Sequence, residues 1–241
     1  MTSPPALDID VALRQFRTDV ADIVSDFLRD QIDLMTGISA DLLPLLDTLA
    51  DLLEGGKRLR PTFAYWGWRA AGGQPDPAIL RADSSLEFLQ ACALIHDDVM
   101  DGSDTRRGKP AAHRRLASMH RSHGYLGSPE DFGVGSAILL GDLCLSWSDE
   151  LLRSSGLSET ALAAAKLIYD EMRTELMAGQ YLDLLEQVRG RYDLDSALTV
   201  ARYKSAKYTI ERPLQIGAAA AGADAHLLRQ LSDFGIPLGE A

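Results

Sequence analysis

Apolar residues return along this chain with the period of a helix and seldom alternate as a strand would. Over residues 9–35, Val11, Leu13, Phe16, Val20, Ile23, Val24, Phe27, Leu28 and Ile32 fall on one side of a 3.6-residue turn. Residues 41–53 continue the pattern, with Pro44 in the first turn, where a missing N–H is harmless, and Gly55 and Gly56 just past the end. A third helix is predicted over 61–71 with proline at its first position, and a fourth over 77–100. A short helix over 111–120 leads into residues 121–135, where five glycines and prolines in a polar setting predict a flexible loop. Helices follow over 136–153 and over 158–188, the latter capped by Ser158, and then over 193–210, where Pro213 interrupts or restarts the pattern. The small residues of 214–221, stopped by Gly222, and residues 223–234 complete the series. No segment alternates convincingly and no repeat is visible. The expectation is one all-α domain over residues 1–241, a large bundle whose helices are apolar on more than one side.

Composition narrows the function. Hydrophobic residues make up 46% of the 241, ample for a sizeable core, and a net charge of -11 argues against nonspecific nucleic-acid binding. The basic clusters are local and therefore suit something small and anionic. Cys92 and Cys144 lie in apolar segments far apart in sequence, as buried thiols of a reducing compartment would. Residues 1–10 lack a basic-then-apolar leader, and the best apolar run, 133–147, is broken by Asp142. A cytoplasmic protein without a transmembrane segment is expected.

The chemistry concentrates at the end of the fourth helix. Asp97 and Asp101 are four residues apart, Asp98 and Asp101 three, so both pairs project to one side one turn apart. Like charges at that spacing repel unless a cation lies between them. Carboxylate oxygens suit Mg2+, which takes one or two carboxylates, waters and substrate phosphates. Arg106 and Arg107 follow directly, with forked donors that match phosphate oxygens. A second basic stretch, Gly55, Gly56, Lys57, Arg58, Leu59, Arg60, Pro61, offers pliant backbone, three cations and a helix start with free N–H groups. An anion seat and a surface turn with solvated charges remain alternatives for that stretch alone. Gln180 and Asp183 share a helix face, and Gly179 beside them leaves space for a close neighbour, though taken alone the stretch is better explained as an ordinary polar face. Lys204 and Ser205 add a cation and a hydroxyl, in a stretch that taken alone reads as a solvated basic helix face. The irregular spacing of His113, His120 and His123, with no cysteine nearby, argues against a zinc site.

Taken together these stretches resemble the trans-isoprenyl diphosphate synthases, the polyprenyl synthetase family. The resemblance covers nearly the whole chain. It rests on GGKRLRP at 55–61, DDVMD at 97–101, RRGKP at 106–110, GQYLD at 179–183 and KSA at 204–206, in that order. It implies a helical bundle of the isoprenoid synthase type, Mg2+ as cofactor and a homodimer. It also implies condensation of isopentenyl diphosphate with an allylic diphosphate, farnesyl diphosphate giving the geranylgeranyl product. By the same resemblance Asp97 and Asp101, with Asp98 supporting, hold the metal ions. Arg106 binds the allylic diphosphate, and Lys204 and Ser205 stabilise it as it leaves. Lys57, Arg60 and Arg107, with Gly56 and Gln90, hold isopentenyl diphosphate, and Gln180 joins the substrate-binding set. Cys92 and Ala93, five and four residues before Asp97, border the growing tail; both are small, which implies a product longer than farnesyl.

Three departures bear on this. Gln90 stands where many members have histidine, and Ser205 where threonine is usual. The family's second aspartate-rich motif is absent from residues 1–241; residues 235–241 look like its lead-in. The expectation is therefore a chain truncated before that motif, lacking half of its metal site and nearly inactive. A class I terpene cyclase and a non-catalytic subunit of a heteromeric synthase stay open as alternatives. The basic stretch at 55–61 weighs against the first, and the intact DDVMD against the second.

Overall fold

The computed structural model describes residues 9–190 and 193–241; the expectation about a leader in residues 1–8 lies outside them. The described residues are almost wholly helical, as expected, and none of their helices is long and apolar enough to cross a membrane. The helices sort into two compact units, one of residues 1–57 and 84–152, the other of residues 58–83 and 153–241.

The first unit holds α1 (Ile9–Thr36), a 3-10 turn (Ala40–Leu42), α2 (Leu43–Leu53) and all but the opening residues of the fourth helix (Pro77–Met100), α4 below. Its core is apolar stripes in edge-to-face contact. The Phe88 ring meets Phe27 of α1 at 5.2 Å and Trp147 at 6.4 Å. A short antiparallel pair, β1 (Thr105–Arg106) and β2 (Lys109–Pro110), follows α4, then α5 (Ala112–Ser122) and α6 (Pro129–Arg153). Here the structure corrects the sequence reading: the predicted loop over 121–135 is already helix from Pro129. Gly133 is present for packing, since a Cβ there would overlap the His113 carbonyl oxygen and press on Ala117 of α5. Glycine in a polar setting mimics a loop signal even when its purpose is close helix approach.

The second unit holds α3 (Leu59–Ala70), α7 (Glu159–Arg189), α8 (Leu194–Val200), a π-helical stretch (Ala201–Glu211), α9 (Arg212–Ala220) and α10 (Ala225–Glu240). Ser158 caps α7 as expected, accepting from the Ala161 N–H at 3.3 Å. α3 and α9 pack backbone to backbone. A Cβ at Gly67 would overlap the Leu214 carbonyl oxygen, and one at Gly217 the Ala64 carbonyl oxygen. Arg212, buried in this unit, donates to both carboxylate oxygens of Glu175 at 2.7 Å and to Glu171 at 2.5 Å. Burial alone would raise the Glu175 carboxyl, but hydrogen bonds from Arg212 and Lys207 outweigh it and hold the group below its ordinary range. α10 runs on through Pro237 to Glu240 rather than stopping near Phe234.

Candidate active site

The end of α4 is built around one arginine. Asp98 is 2% exposed. Arg106 Nε donates to Asp98 Oδ1 at 3.0 Å, and Arg106 Nη2 donates to the same oxygen and to Asp97 Oδ2 at 3.3 Å. The hairpin places Arg106 there. Its two central residues, Arg107 (φ 52°) and Gly108 (φ 77°), are both left-handed, as the favoured two-residue hairpin turn requires. Asp101 lies exposed in the turn that ends α4, its N–H donating to the Asp97 carbonyl at 2.8 Å, so the two carboxylates are one turn apart.

Across from the hairpin runs the basic stretch after α2. Gly55 (φ 72°) and Gly56 (φ 97°) are left-handed and Lys57 is exposed. A Cβ on Gly56 would lie 3.5 Å from Arg107 Nη1, which donates to the Leu52 carbonyl at 3.4 Å. Gly56 and Arg107 are thus neighbours. Lys109 reaches Glu54 at 3.4 Å and Asp51 at 3.8 Å, and Arg115 of α5 is also paired with Asp51. Sequence reasoning missed these acids; the signal was one acid in the last turn of a helix and another at its C-cap, where the dipole disfavours negative charge unless cations answer it. A cavity of about 560 Å3 opens among these groups, lined by Asp98 and Arg106 and also by the apolar Leu52 and Ile95.

Further along α4, Ala93 and Gln90 are half-buried whereas Cys92 is buried. The Cys92 sulfur lies 3.7 Å from His96 Nδ1, and burial together with the nearby Asp142 carboxylate pushes the thiol up to about 12. His96 Nε2 is 3.1 Å from the Ile138 carbonyl oxygen, in space that Gly141 leaves open.

The second unit carries the remaining predicted groups. Lys204 Nζ donates to Asp183 Oδ2 at 2.6 Å. Gly179 makes this approach possible, as its lack of a side chain suggested: a Cβ there would lie 2.7 Å from the Lys204 backbone nitrogen. Ser205 is exposed beside it, and the Gln180 amide nitrogen is buried without a hydrogen-bond partner among the described residues. Arg60 is turned to the π-helical stretch, donating to Thr209 Oγ1 at 2.9 Å with its guanidinium 4.1 Å over the Tyr208 ring. That engagement was invisible in sequence because Arg60 and Thr209 lie 149 residues apart.

Among the described residues no three carboxylate, imidazole or thiolate groups are gathered to hold an ion unaided. The donor set nonetheless fits Mg2+, a hard ion content with one or two carboxylates because waters and phosphates complete its shell. Asp97 and Asp101 could supply those oxygens, while Asp98 is committed to Arg106.

The polyprenyl synthetase family model matches residues 44–241. The geranylfarnesyl diphosphate synthase of Aeropyrum pernix is 28% identical over 222 residues, covering 90% of this chain and 62% of that protein. The farnesyl diphosphate synthase of Geobacillus stearothermophilus is 30% identical, over 96% of this chain and 73% of that protein. Among solved structures, a geranylgeranyl pyrophosphate synthase of Corynebacterium glutamicum, complexed with isoprenyl diphosphate and magnesium, superposes with a TM-score of 0.91 at 40% identity. That match covers 95% of this chain and 66% of that one, so the chain spans less than two thirds of two of these three relatives.

Proposed function

The chain belongs to the polyprenyl synthetase family, and from that premise we propose that it condenses isopentenyl diphosphate with an allylic diphosphate, farnesyl diphosphate giving geranylgeranyl diphosphate. The observation that carries this reading is the Asp97–Arg106–Asp98 array: two carboxylates and a guanidinium interleaved at a helix end, the charge pattern that a metal-bound diphosphate would extend.

In the first unit, Asp97 and Asp101 would hold Mg2+, which supplies Lewis acidity to the departing diphosphate. Asp98 fixes the guanidinium plane of Arg106, whose remaining donors would take the allylic diphosphate. Gly56, Lys57, Gln90 and Arg107 would take isopentenyl diphosphate, with the glycine allowing close approach. In the second unit, Lys204, with Ser205 and Gln180, would stabilise negative charge as it develops on the leaving diphosphate, and Arg60 would serve the isopentenyl diphosphate. Departure of pyrophosphate leaves an allylic cation. The isopentenyl double bond attacks it, and the pyrophosphate takes the final proton, so no side-chain nucleophile is required. Ala93, small and half-buried, supports the twenty-carbon product; Cys92 beside it is also small but buried against His96. Residues 1–241 are read as a single isoprenyl diphosphate synthase domain, acting as a homodimer in the cytoplasm.

The test is a condensation assay with Mg2+, labelled isopentenyl diphosphate and farnesyl diphosphate, read by product mass. A twenty-carbon diphosphate is expected, formed only slowly because residues 1–241 lack the second aspartate-rich motif. Pyrophosphate release from an allylic diphosphate alone would replace this reading with a terpene cyclase. Silence of the chain until a distinct synthase subunit is added would replace it with a non-catalytic subunit.

A further inference from the structure

We propose that Asp51 is a positioning residue for Arg107, joining the two basic arms of the first unit into one seat for the diphosphate of isopentenyl diphosphate; this rests on the function proposed above. The arms come from separate parts of the chain, the loop after α2 and the β1–β2 hairpin, and neither has a core of its own. Their residues are exposed at Gly55, Gly56, Lys57, Arg107, Gly108 and Lys109. What ties them is a pair of acids at the end of α2, Asp51 in its last turn and Glu54 at its C-cap. Asp51 takes Arg115 from α5 and lies 3.8 Å from Lys109 of β2, while Glu54 takes the same lysine at 3.4 Å. Arg107, two residues before Lys109, then reaches one of the carbonyls that the end of α2 leaves without a helical partner, that of Leu52. In that position its guanidinium stands against Gly56. Fixing Lys109 and Arg115 fixes the chain that leaves the hairpin, from β2 into α5, against the end of α2. Arg107 is held with donors to spare, and a seat assembled before the ligand arrives loses less freedom on binding.

The sign of the effect separates positioning from plain electrostatics. Removing an acid from a cationic cavity raises its positive potential and, were charge alone at work, would tighten the hold on a diphosphate. A positioning role predicts the reverse.

The experiment is calorimetric titration of isopentenyl diphosphate into the full chain, wild type and variants, with thermal melting of each. Asp51→Ala is expected to weaken binding roughly fivefold, the scale of a lost partly exposed ion-pair network. Asp51→Glu should bind like wild type, and the exchanged pair Asp51→Arg with Arg115→Asp should recover most of the loss. Equal or tighter binding by a folded Asp51→Ala overturns the inference and leaves the proposed function standing. If Asp51→Ala does not fold, the exchanged pair decides, and failure of a folded exchanged pair to recover binding overturns the inference. A wild-type chain that takes up no isopentenyl diphosphate overturns the function and the inference together.

Discussion

Lys204 of the π-helical stretch and Asp183 of α7 are ion-paired at 2.6 Å, each with 29% of its side chain exposed. The carboxylate holds the ammonium extended, and an ammonium carries three donors to divide between its partners and a ligand. If that ligand is a departing diphosphate, the benefit arises mainly in the transition state. Lys204→Ala is therefore expected to lower kcat by about 100-fold with a smaller change in KM. Asp183→Asn should have a milder effect of the same kind. Steady-state kinetics with each substrate varied would check both, and a Lys204→Ala effect confined to KM would remove Lys204 from the chemical step.

Arg106 has a structural duty besides ligand binding. Asp98, with a side chain only 3% exposed, depends on it for its charge partner. Arg106→Ala strands a buried carboxylate and should cost about 2–4 kcal/mol of stability. Adding Asp98→Asn should return much of that stability without returning diphosphate binding. Denaturant melts alongside pyrophosphate titrations separate the two duties.

The two small residues before the aspartates are not equivalent. Ala93 is half-buried, while Cys92 is 5% exposed and lies against His96. Ala93→Phe should shorten the product toward fifteen carbons with little loss of stability. Cys92→Phe should instead overpack the first unit and lower stability by about 1–3 kcal/mol. Product mass spectrometry and thermal melts would show the difference. Equal shortening by two well-folded variants would place both residues beside the growing tail.

Asp83 is 1% exposed, neither of its carboxylate oxygens has a hydrogen-bond partner among the described residues, and burial pushes its pKa well above the usual carboxylate range. Below the unfolded value near 4 the group is neutral in both states and costs nothing through ionisation. As pH rises from there toward the folded value, the unfolded chain ionises while the folded one resists, and stability falls by about 1.4 kcal/mol per pH unit. Asp83→Ala should thus be more stable than wild type at neutral pH, with the difference shrinking as pH falls toward about 4. Chemical denaturation at the two pH values would check it, and a constant difference would mean that Asp83 ionises freely in the fold.

Sequence alone locates what depends on local rules. The fourth helix is legible at its observed bounds because Gly72, Gly73 and Pro75 punctuate the chain before it and Gly102 after it, with a long unbroken stretch between. Ser158 likewise announces itself as a cap. Gly179 is legible as a place of close approach, though its neighbour is not. The hairpin carrying Arg106 escapes a sequence reading because two-residue strands have no period to detect. So does the π-helical stretch, whose extra residue per turn leaves no compositional mark. The candidate site residues stand out by type and spacing. Their present partners do not, because Arg60 with Thr209, Lys204 with Asp183 and Arg115 with Asp51 are pairings set by packing between distant segments.

Gly67 and Gly217 face each other's helix at one contact, each excluding the same class of intruder, a side chain against a carbonyl. The consequence is thermodynamic coupling between positions far apart in sequence. Once either glycine carries a methyl group, α3 and α9 must part, and the second methyl enters a gap that is already open. The penalties of Gly67→Ala and Gly217→Ala should therefore sum to more than the penalty of the double variant, so the two glycines behave as a single hereditary unit: losing one relaxes the constraint that keeps the other.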